Sequence, residues 1–191
     1  MTPQPKLVIL DRDGVINHDS DQFIKSPREW KPVDGSVEAI ARLNQNGYRV
    51  VVATNQSGIG RGLFDMATFN AINDKMMELV FRQGGRIDAI FFCPCTAEQH
   101  CHCRKPDTGM FEDIAARFHV GLNGVPAIGD SLRDLEAAAK VGCAPILVLT
   151  GKGKKTKETG GLPRGTKSFT DLADAVNFLV TNSTRIDRVS V

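Results

Sequence analysis

The sequence predicts an α/β fold, a three-layer, doubly wound, mainly parallel sheet with helices on both faces. Three observations predict it. Short apolar runs alternate with segments whose apolar residues recur at helical spacing, the order that βαβ units require. The runs are continuously apolar, as strands covered on both faces must be. The 191 residues are 41% apolar and 24% charged, which fits a soluble globular chain and excludes disordered, collagen-like and coiled-coil classes. A chain of this length buries roughly 70% of its unfolded surface. That is enough core for a single domain over residues 1–191.

The elements follow in order. Leu7-Val8-Ile9-Leu10 is a first buried strand. Residues 35–43 set Val37, Ile40, Ala41 and Leu43 on a helical face, with Asp34 or Ser36 as the cap and Gly47 as the stop. Residues 48–53 form a second strand. Helical spacing returns over 65–82 at Met66, Phe69, Ile72, Met76, Leu79 and Val80, and 87–92 is a strand after Gly84-Gly85. A helix over 107–118, a strand over 125–128, a helix over 131–141, a strand over 145–150 and a helix over 170–180 complete the alternation. Residues 151–167, rich in Gly, Lys and Thr, read as a flexible solvated loop carrying Lys152, Lys154, Lys155 and Lys157. The chain from 181 reads as a frayed tail.

Charge narrows the partners. With 24 basic and 22 acidic side chains the net charge is +2, too small a field to gather nucleic acid or an anionic membrane. Aromatic residues at 6% point the same way. The first ten residues lack the basic start and long apolar stretch of a secretory signal, and no apolar run approaches the ~18 residues of a membrane span. The expectation is a cytoplasmic monomer that grips any anion locally.

Ligands of open α/β sheets bind beyond the carboxyl ends of the strands. Three strands here end in polar groups that would meet at that edge: Asp11-Arg12-Asp13-Gly14, Thr54-Asn55-Gln56-Ser57-Gly58, and Gly129-Asp130 with Asp134 one helical turn later. Any one of them alone reads more readily as a turn or a cap. Together, converging carboxylates repel one another and lose solvation unless a cation sits among them. Oxygen ligands suit a hard ion, and magnesium, which takes one or two carboxylates plus substrate phosphate, is the natural choice. Arg104-Lys105-Pro106 supplies a lysine able to neutralise these acids and grip a phosphoryl group; its alternative is a surface basic pair.

Four of the five cysteines crowd into one stretch, Cys93, Cys95, Cys101 and Cys103. In a reducing compartment such clustering reads as metal ligation, and four thiolates close the shell of one tetrahedral, structural zinc in a loop over 93–103. His100 and His102 are the alternative ligands. Cys143 lies apart as a small buried apolar residue.

Asp-x-Asp-Gly after the first strand, Thr-Asn after the second, a later Lys-Pro and then Gly-Asp-x-x-x-Asp resemble the motifs of the haloacid dehalogenase superfamily of phosphohydrolases, over about residues 7–150. The resemblance implies a Rossmann-like core. It also implies Asp11 as nucleophile, Asp13 as general acid and base, and Thr54 and Lys105 as holders of the phosphoryl group. Magnesium would be bound by Asp11, Asp130 and the Asp13 backbone carbonyl, with Asp134 in support. The segments between motifs are used up by predicted elements, so no cap domain fits. With the cysteine loop this is similar to a narrower family, the capless heptose-bisphosphate and histidinol-phosphate phosphatases, and most similar to its heptose members. That likeness implies a small phosphorylated sugar as substrate, on the route to the lipopolysaccharide core. It implies substrate contacts from Arg12, Asp19, Ser20, Asp21, Gln22, Asn55, Gln56, Ser57 and Arg104. Histidinol phosphate is the alternative substrate, and a non-enzymatic zinc module the alternative class. Two positions depart from the family pattern: Cys95 stands where His is frequent, and Asp21-Gln22 where Gly-Tyr is.

Overall fold

In the computed structural model, which describes residues 6–189, six strands pair in parallel. They are β1 (Lys6–Leu10), β2 (Tyr48–Asn55), β3 (Ala89–Cys93), β4 (Pro126–Gly129), β5 (Ala144–Val148) and β6 (Lys167–Phe169), in the order β3-β2-β1-β4-β5-β6. The chain winds outward from β1 to β3, then returns to the centre and winds the other way. The strand order therefore reverses between β1 and β4, where a crevice opens for ligand. Leu10 pairs with Val52 on one side and Ile128 on the other, so the residues following β1 emerge between two covered strands.

Alternation along β1 divides the core. Val8 and Leu10 face one layer, built by α1 (Ser36–Gln45), α3 (Met66–Arg82) and α7 (Leu172–Val189), through buried Ile40, Ile72, Met76 and Val176. Leu7 and Ile9 face the other, built by α4 (Gly109–Phe118) and α5 (Leu132–Lys140), through Met110, Ile114, Ala137 and Ala138. Each fully buried aliphatic side chain contributes about 1.5–3 kcal/mol, so the sheet is anchored from both sides. Cys143 is buried as expected, and burial pushes its thiol up to about 12.

Three local expectations are corrected. The residue before α1 is Gly35 at φ 76, with no side-chain cap. Ser36 instead donates its hydroxyl to the Ile16 carbonyl at 2.6 Å, tying the loop after β1 to the helix. Residues 151–167 are not a plain loop, because they hold α6 (Gly153–Thr159) and lead into β6. Almost every side chain of α6 is polar, so it has no apolar periodicity to read. It is placed by polar links, among them Thr156 Oγ1 donating to the Asp130 carbonyl at 2.8 Å. The last helix does not stop at 180, since α7 continues to Val189, and residues 190–191 lie outside the described residues. Thr181 Oγ1 and Asn182 Nδ2 bond to carbonyls one turn back, at 2.8 and 3.0 Å, and carry the helix on.

Residues 11–35 carry no helix or longer strand, only bridges of Asp13 with Asn17 and Asn17 with Pro32. Fully buried Trp30 roots this stretch. Lys75 Nζ donates to the carbonyls of Pro27 and Trp30 at 2.6 and 2.8 Å, pinning it against α3. No helix among the described residues is long and apolar enough to cross a membrane.

Candidate active site

The strand ends deliver the acids. Asp11 follows β1, and its N–H donates to the Ile128 carbonyl at 2.9 Å, which locks it beside β4. Asp130 follows β4 directly. Lys105 arrives on the loop before α4 and is fixed by the end of β2. Asn55 Nδ2 donates to the Lys105 carbonyl at 3.0 Å, and the Lys105 N–H donates to Asn55 Oδ1 at 3.1 Å. The Lys105 ammonium then reaches Asp11 Oδ1 at 3.0 Å, Asp134 Oδ1 at 2.6 Å and the Ala53 carbonyl at 2.7 Å. All three charged side chains are buried.

The electrostatics follow from that burial. Desolvation opposes the Lys105 charge, but Asp11 and Asp134 outweigh it and hold the ammonium above its ordinary value. Burial raises Asp11 to about 6 against the pull of Lys105, with Asp134 and Asp13 adding to the rise. Asp130 is raised further, to about 8, by burial and then by Asp11 and Asp134. In Asp134 desolvation is overcome by Lys105 and Arg133, so its carboxyl lies below the usual range. Its Oδ2 accepts from the Ser131 N–H and hydroxyl, while Oδ1 faces the Lys105 ammonium as an ion pair.

Asp13 sits in a collar of donors. Arg12 reaches it at 3.1 Å, Asn17 Nδ2 at 2.9 Å and Gln56 Nε2 at 2.8 Å. Burial works against ionisation, yet these partners win and hold the carboxyl low. Arg12 is wholly buried, with a further N–H directed to Asn73 at 3.4 Å and its guanidinium 5.7 Å from the Phe69 ring centroid. The structure therefore places Arg12 behind Asp13 rather than among the substrate-facing residues. Thr54 Oγ1 accepts from Gln56 Nε2 at 2.9 Å, which leaves the hydroxyl proton free to donate.

Above these groups lies a cavity of about 230 Å³. Of the residues read from the sequence, Asp11, Asp13, Thr54, Asp130, Asp19, Ser20, Asp21, Asn55, Gln56, Ser57 and Arg104 line it. Gln22 does not, and its backbone N–H turns to Ser20 Oγ at 3.1 Å. The cavity also contains Arg133 and Lys152, which sequence reasoning missed. Arg133 could have been found from its place on the first turn of α5, beside Asp134. Lys152 was read as loop, yet its N–H donates to Asp130 Oδ2 at 2.8 Å and its ammonium meets Asp19 at 3.0 Å and Asp21 at 3.7 Å.

The acids fit a cation. Asp11, Asp130 and Asp134 each offer an oxygen within 4.8 Å of the others. Three converging carboxylates exceed the positive charge of Lys105 and Arg133 beside them, and such an oxygen set suits a hard divalent ion. Gly14 at φ 85 and Gly151 at φ 52 press on Asp130 so closely that a Cβ on either would collide with its carboxylate. Both positions combine left-handed backbone with close approach, the two conditions that select glycine.

The cysteines gather as the spacing suggests. The sulfurs of Cys93, Cys95 and Cys103 lie within 4.8 Å of one another, and the structure joins Cys93 to Cys103 and Cys95 to Cys101 as disulfides. The same four sulfurs, reduced, are the donor set of a tetrahedral site. Neither alternative histidine joins them: His102 Nε2 is 2.9 Å from Glu112 Oε2, and His100 is exposed. Arg104 is tied to this loop through a bond of 2.9 Å to the Cys95 carbonyl.

Comparison with known proteins agrees with this geometry. A family model described as polynucleotide kinase 3 phosphatase matches residues 6–128, and a HAD-hydrolase-like model matches residues 102–175. The D-glycero-beta-D-manno-heptose-1,7-bisphosphate 7-phosphatase of Bordetella bronchiseptica is 61% identical over 168 residues, 88% of this chain and 94% of that protein. The protein of the same name from Neisseria meningitidis serogroup B is 51% identical over 94% of this chain and 97% of its own length. A crystal structure of the B. bronchiseptica D,D-heptose 1,7-bisphosphate phosphatase, complexed with magnesium and phosphate, superposes with a TM-score of 0.92 at 59% identity, covering 93% of this chain and 99% of that one.

Replacing Lys105 with Met tests the charge balance. Without the ammonium, folded Asp11 and Asp134 bind protons more tightly than unfolded carboxylates do, so stability falls as pH rises. In urea unfolding with chelator present, Lys105→Met should lose about 3–5 kcal/mol near pH 8 and clearly less near pH 5. An equal loss at both would contradict the arrangement.

Proposed function

The chain belongs to the haloacid dehalogenase-like phosphatases, in the family of D-glycero-β-D-manno-heptose-1,7-bisphosphate 7-phosphatases, and from that footing we propose that it hydrolyses the 7-phosphate of D-glycero-D-manno-heptose 1,7-bisphosphate. The observation that carries the reading is Lys105 Nζ at 3.0 Å from Asp11, at the sheet's switch point, with Asp13 collared beside the cavity.

Asp11 is the nucleophile. One of its oxygens attacks phosphorus, forming an aspartyl phosphate as the ester P–O bond breaks. Asp13 gives its proton to the departing alkoxide, then takes one from the water that cleaves the aspartyl phosphate and frees Asp11. The donors around Asp13 favour its carboxylate, the form that accepts the water's proton. For the first step Asp13 takes up a proton from solvent as substrate binds, when the phosphate's negative charge offsets Arg12 and raises the carboxyl's proton affinity. Thr54 donates its free hydroxyl proton to a phosphoryl oxygen. Lys105 Nζ donates to Asp11 Oδ1 and the Ala53 carbonyl and pairs with Asp134 by charge, so it first aims Asp11, and the N–H on Asp11 is the one a phosphoryl oxygen shares. Asp11, Asp130 and the Asp13 backbone carbonyl would hold magnesium, which when bound draws charge from the phosphoryl oxygens. Asp134 supports Lys105 from behind.

We further assign the four cysteines to one structural zinc, which would fix their loop and so seat Arg104 and Lys105. Such a loop has no core of its own, and its site can supply ~10–16 kcal/mol of apparent folding free energy. The single domain would have no cap, leaving the loops over 17–30 and 93–103 to select the sugar, and the enzyme would act as a cytoplasmic monomer. The family model named for polynucleotide 3-phosphatases makes nucleic acid ends a second substrate class to test, although a net charge of +2 and 6% aromatic residues offer no platform for a strand.

Three experiments check this. Specificity constants compared across heptose 1,7-bisphosphate, histidinol phosphate and a 3′-phosphorylated oligonucleotide should favour the heptose. Asp11→Asn should abolish its turnover with an unchanged circular dichroism spectrum, and an active Asn variant would remove the mechanism. Reduced protein should release about one zinc per chain to a mercurial reagent, and Cys95→Ser should lose that metal and melt earlier. A metal-free native enzyme with four titratable thiols would contradict the zinc assignment.

A further inference from the structure

Arg12 stands in the sequence between the two acids of the first motif, yet it is wholly buried and reaches no cavity wall. A buried guanidinium is costly unless its donors are matched, and all three of its nitrogens have partners. Nε and Nη2 both donate to Asp13 Oδ1, at 3.3 and 3.1 Å, and Nη2 also reaches Asp13 Oδ2 at 3.1 Å. Nη1 donates to Asn73 Oδ1 at 3.4 Å, and the Phe69 ring centroid lies 5.7 Å from the guanidinium carbon. Phe69 and Asn73 are one turn apart among the buried residues of α3. Phe69 itself packs on Phe92 of β3, ring centroids 4.6 Å apart. A helix distant in sequence therefore holds the guanidinium from behind.

The two oxygens of Asp13 are not equivalent. Oδ1 accepts from Arg12 Nε and Nη2 and from Asn17 Nδ2 at 2.9 Å, which fills its lone pairs. Oδ2 accepts from Gln56 Nε2 at 2.8 Å, and the same amide nitrogen donates to Thr54 Oγ1 at 2.9 Å. Oδ2 thus lies on the side of the hydroxyl assigned to the phosphoryl group. Because Nη2 spans both oxygens, the planar guanidinium fixes the plane of the carboxyl group as well as its charge. An ammonium in its place would keep the charge and lose the plane.

We propose that Arg12, held by Asn73 and Phe69 of α3, is a positioning residue that fixes Asp13 so that Oδ2 is the oxygen that moves the proton. This rests on the function proposed above and adds a positioning residue to it. The proton on Oδ2 passes to the ester oxygen as the P–O bond breaks and Asp11 bonds to phosphorus. It returns to Oδ2 from the water whose oxygen then displaces Asp11 from phosphorus. Arg12 touches neither reacting atom and acts only through Asp13.

The test compares specificity constants of the magnesium-loaded enzyme for heptose 1,7-bisphosphate and for 4-nitrophenyl phosphate, whose phenolate leaves without a proton. Their ratio, sugar ester over aryl ester, isolates proton delivery, because a general loss of folding or of the nucleophile lowers both alike. Asp13→Asn sets the full size of the effect, a fall on the order of 100-fold or more. Arg12→Lys keeps the charge and loses the fork. Its ratio should fall at least ~10-fold, through kcat, with KM for the heptose within about threefold of wild type. Asn73→Leu leaves Arg12 in place and should lower the ratio about fivefold, which keeps the test open where the Arg12 variant does not fold. A ratio within about twofold of wild type in folded Arg12→Lys or in Asn73→Leu would overturn this inference alone. Equal losses on both esters, or a loss carried by KM, would do the same. An unchanged ratio in Asp13→Asn would overturn the acid role of Asp13 in the functional reading, and this inference with it.

Discussion

One buried ammonium, that of Lys105 between Asp11 and Asp134, is the constraint on which the site depends. Taking three ionised groups out of water costs several kcal/mol apiece. Contacts of 3.0 and 2.6 Å each return on the order of 5 kcal/mol at the effective dielectric of a protein site. The balance is close, so Asp11 can lie buried at the head of β1 and still be ionised when a phosphorus atom arrives. The scaffold is organised around keeping the ammonium there. Asn55 grips the Lys105 backbone on both sides, and the cysteine loop immediately precedes the lysine.

Neutrality is incomplete, and that has a use. Asp130 is pressed between Gly14 and Gly151 and, among the described residues, receives a backbone N–H from Lys152 alone, so the charge left over at the sheet's edge is a place for a divalent ion. The topology makes this convergence possible, because β1 and β4 are neighbours where the strand order reverses. Their carboxyl-terminal residues then share a crevice without long loops. Positive charge lines the same cavity through Arg104, Arg133 and Lys152. The cavity thus carries both signs of charge, which suits a small, highly charged ester.

What could be read from the sequence was whatever leaves a trace in spacing or in position relative to a strand. Strands β1 to β5 were legible because their runs are largely apolar, whereas the short polar β6 was not. Asp11, Thr54, Lys105 and Asp130 were legible because they fall at strand ends or beside a motif proline. Direction of side chains was not legible. Arg12 lies between two site acids and was read as facing substrate, but it turns inward onto Phe69 and Asn73. Helix α6 went unseen because polar bonds to Asp130, rather than an apolar stripe, hold it. The cysteines were legible as a cluster, and their chemical state is set by redox conditions rather than by spacing.

The central claim is that Asp11 itself becomes phosphorylated during turnover. Enzyme mixed with heptose 1,7-bisphosphate and magnesium, quenched in acid within the first turnover and digested, should carry one phosphoryl group on the peptide containing Asp11. Borohydride should then reduce that residue and no other acid of the site. Product formation at full rate with an unmodified Asp11 peptide at every quench time, or with the label on another residue, would contradict the account.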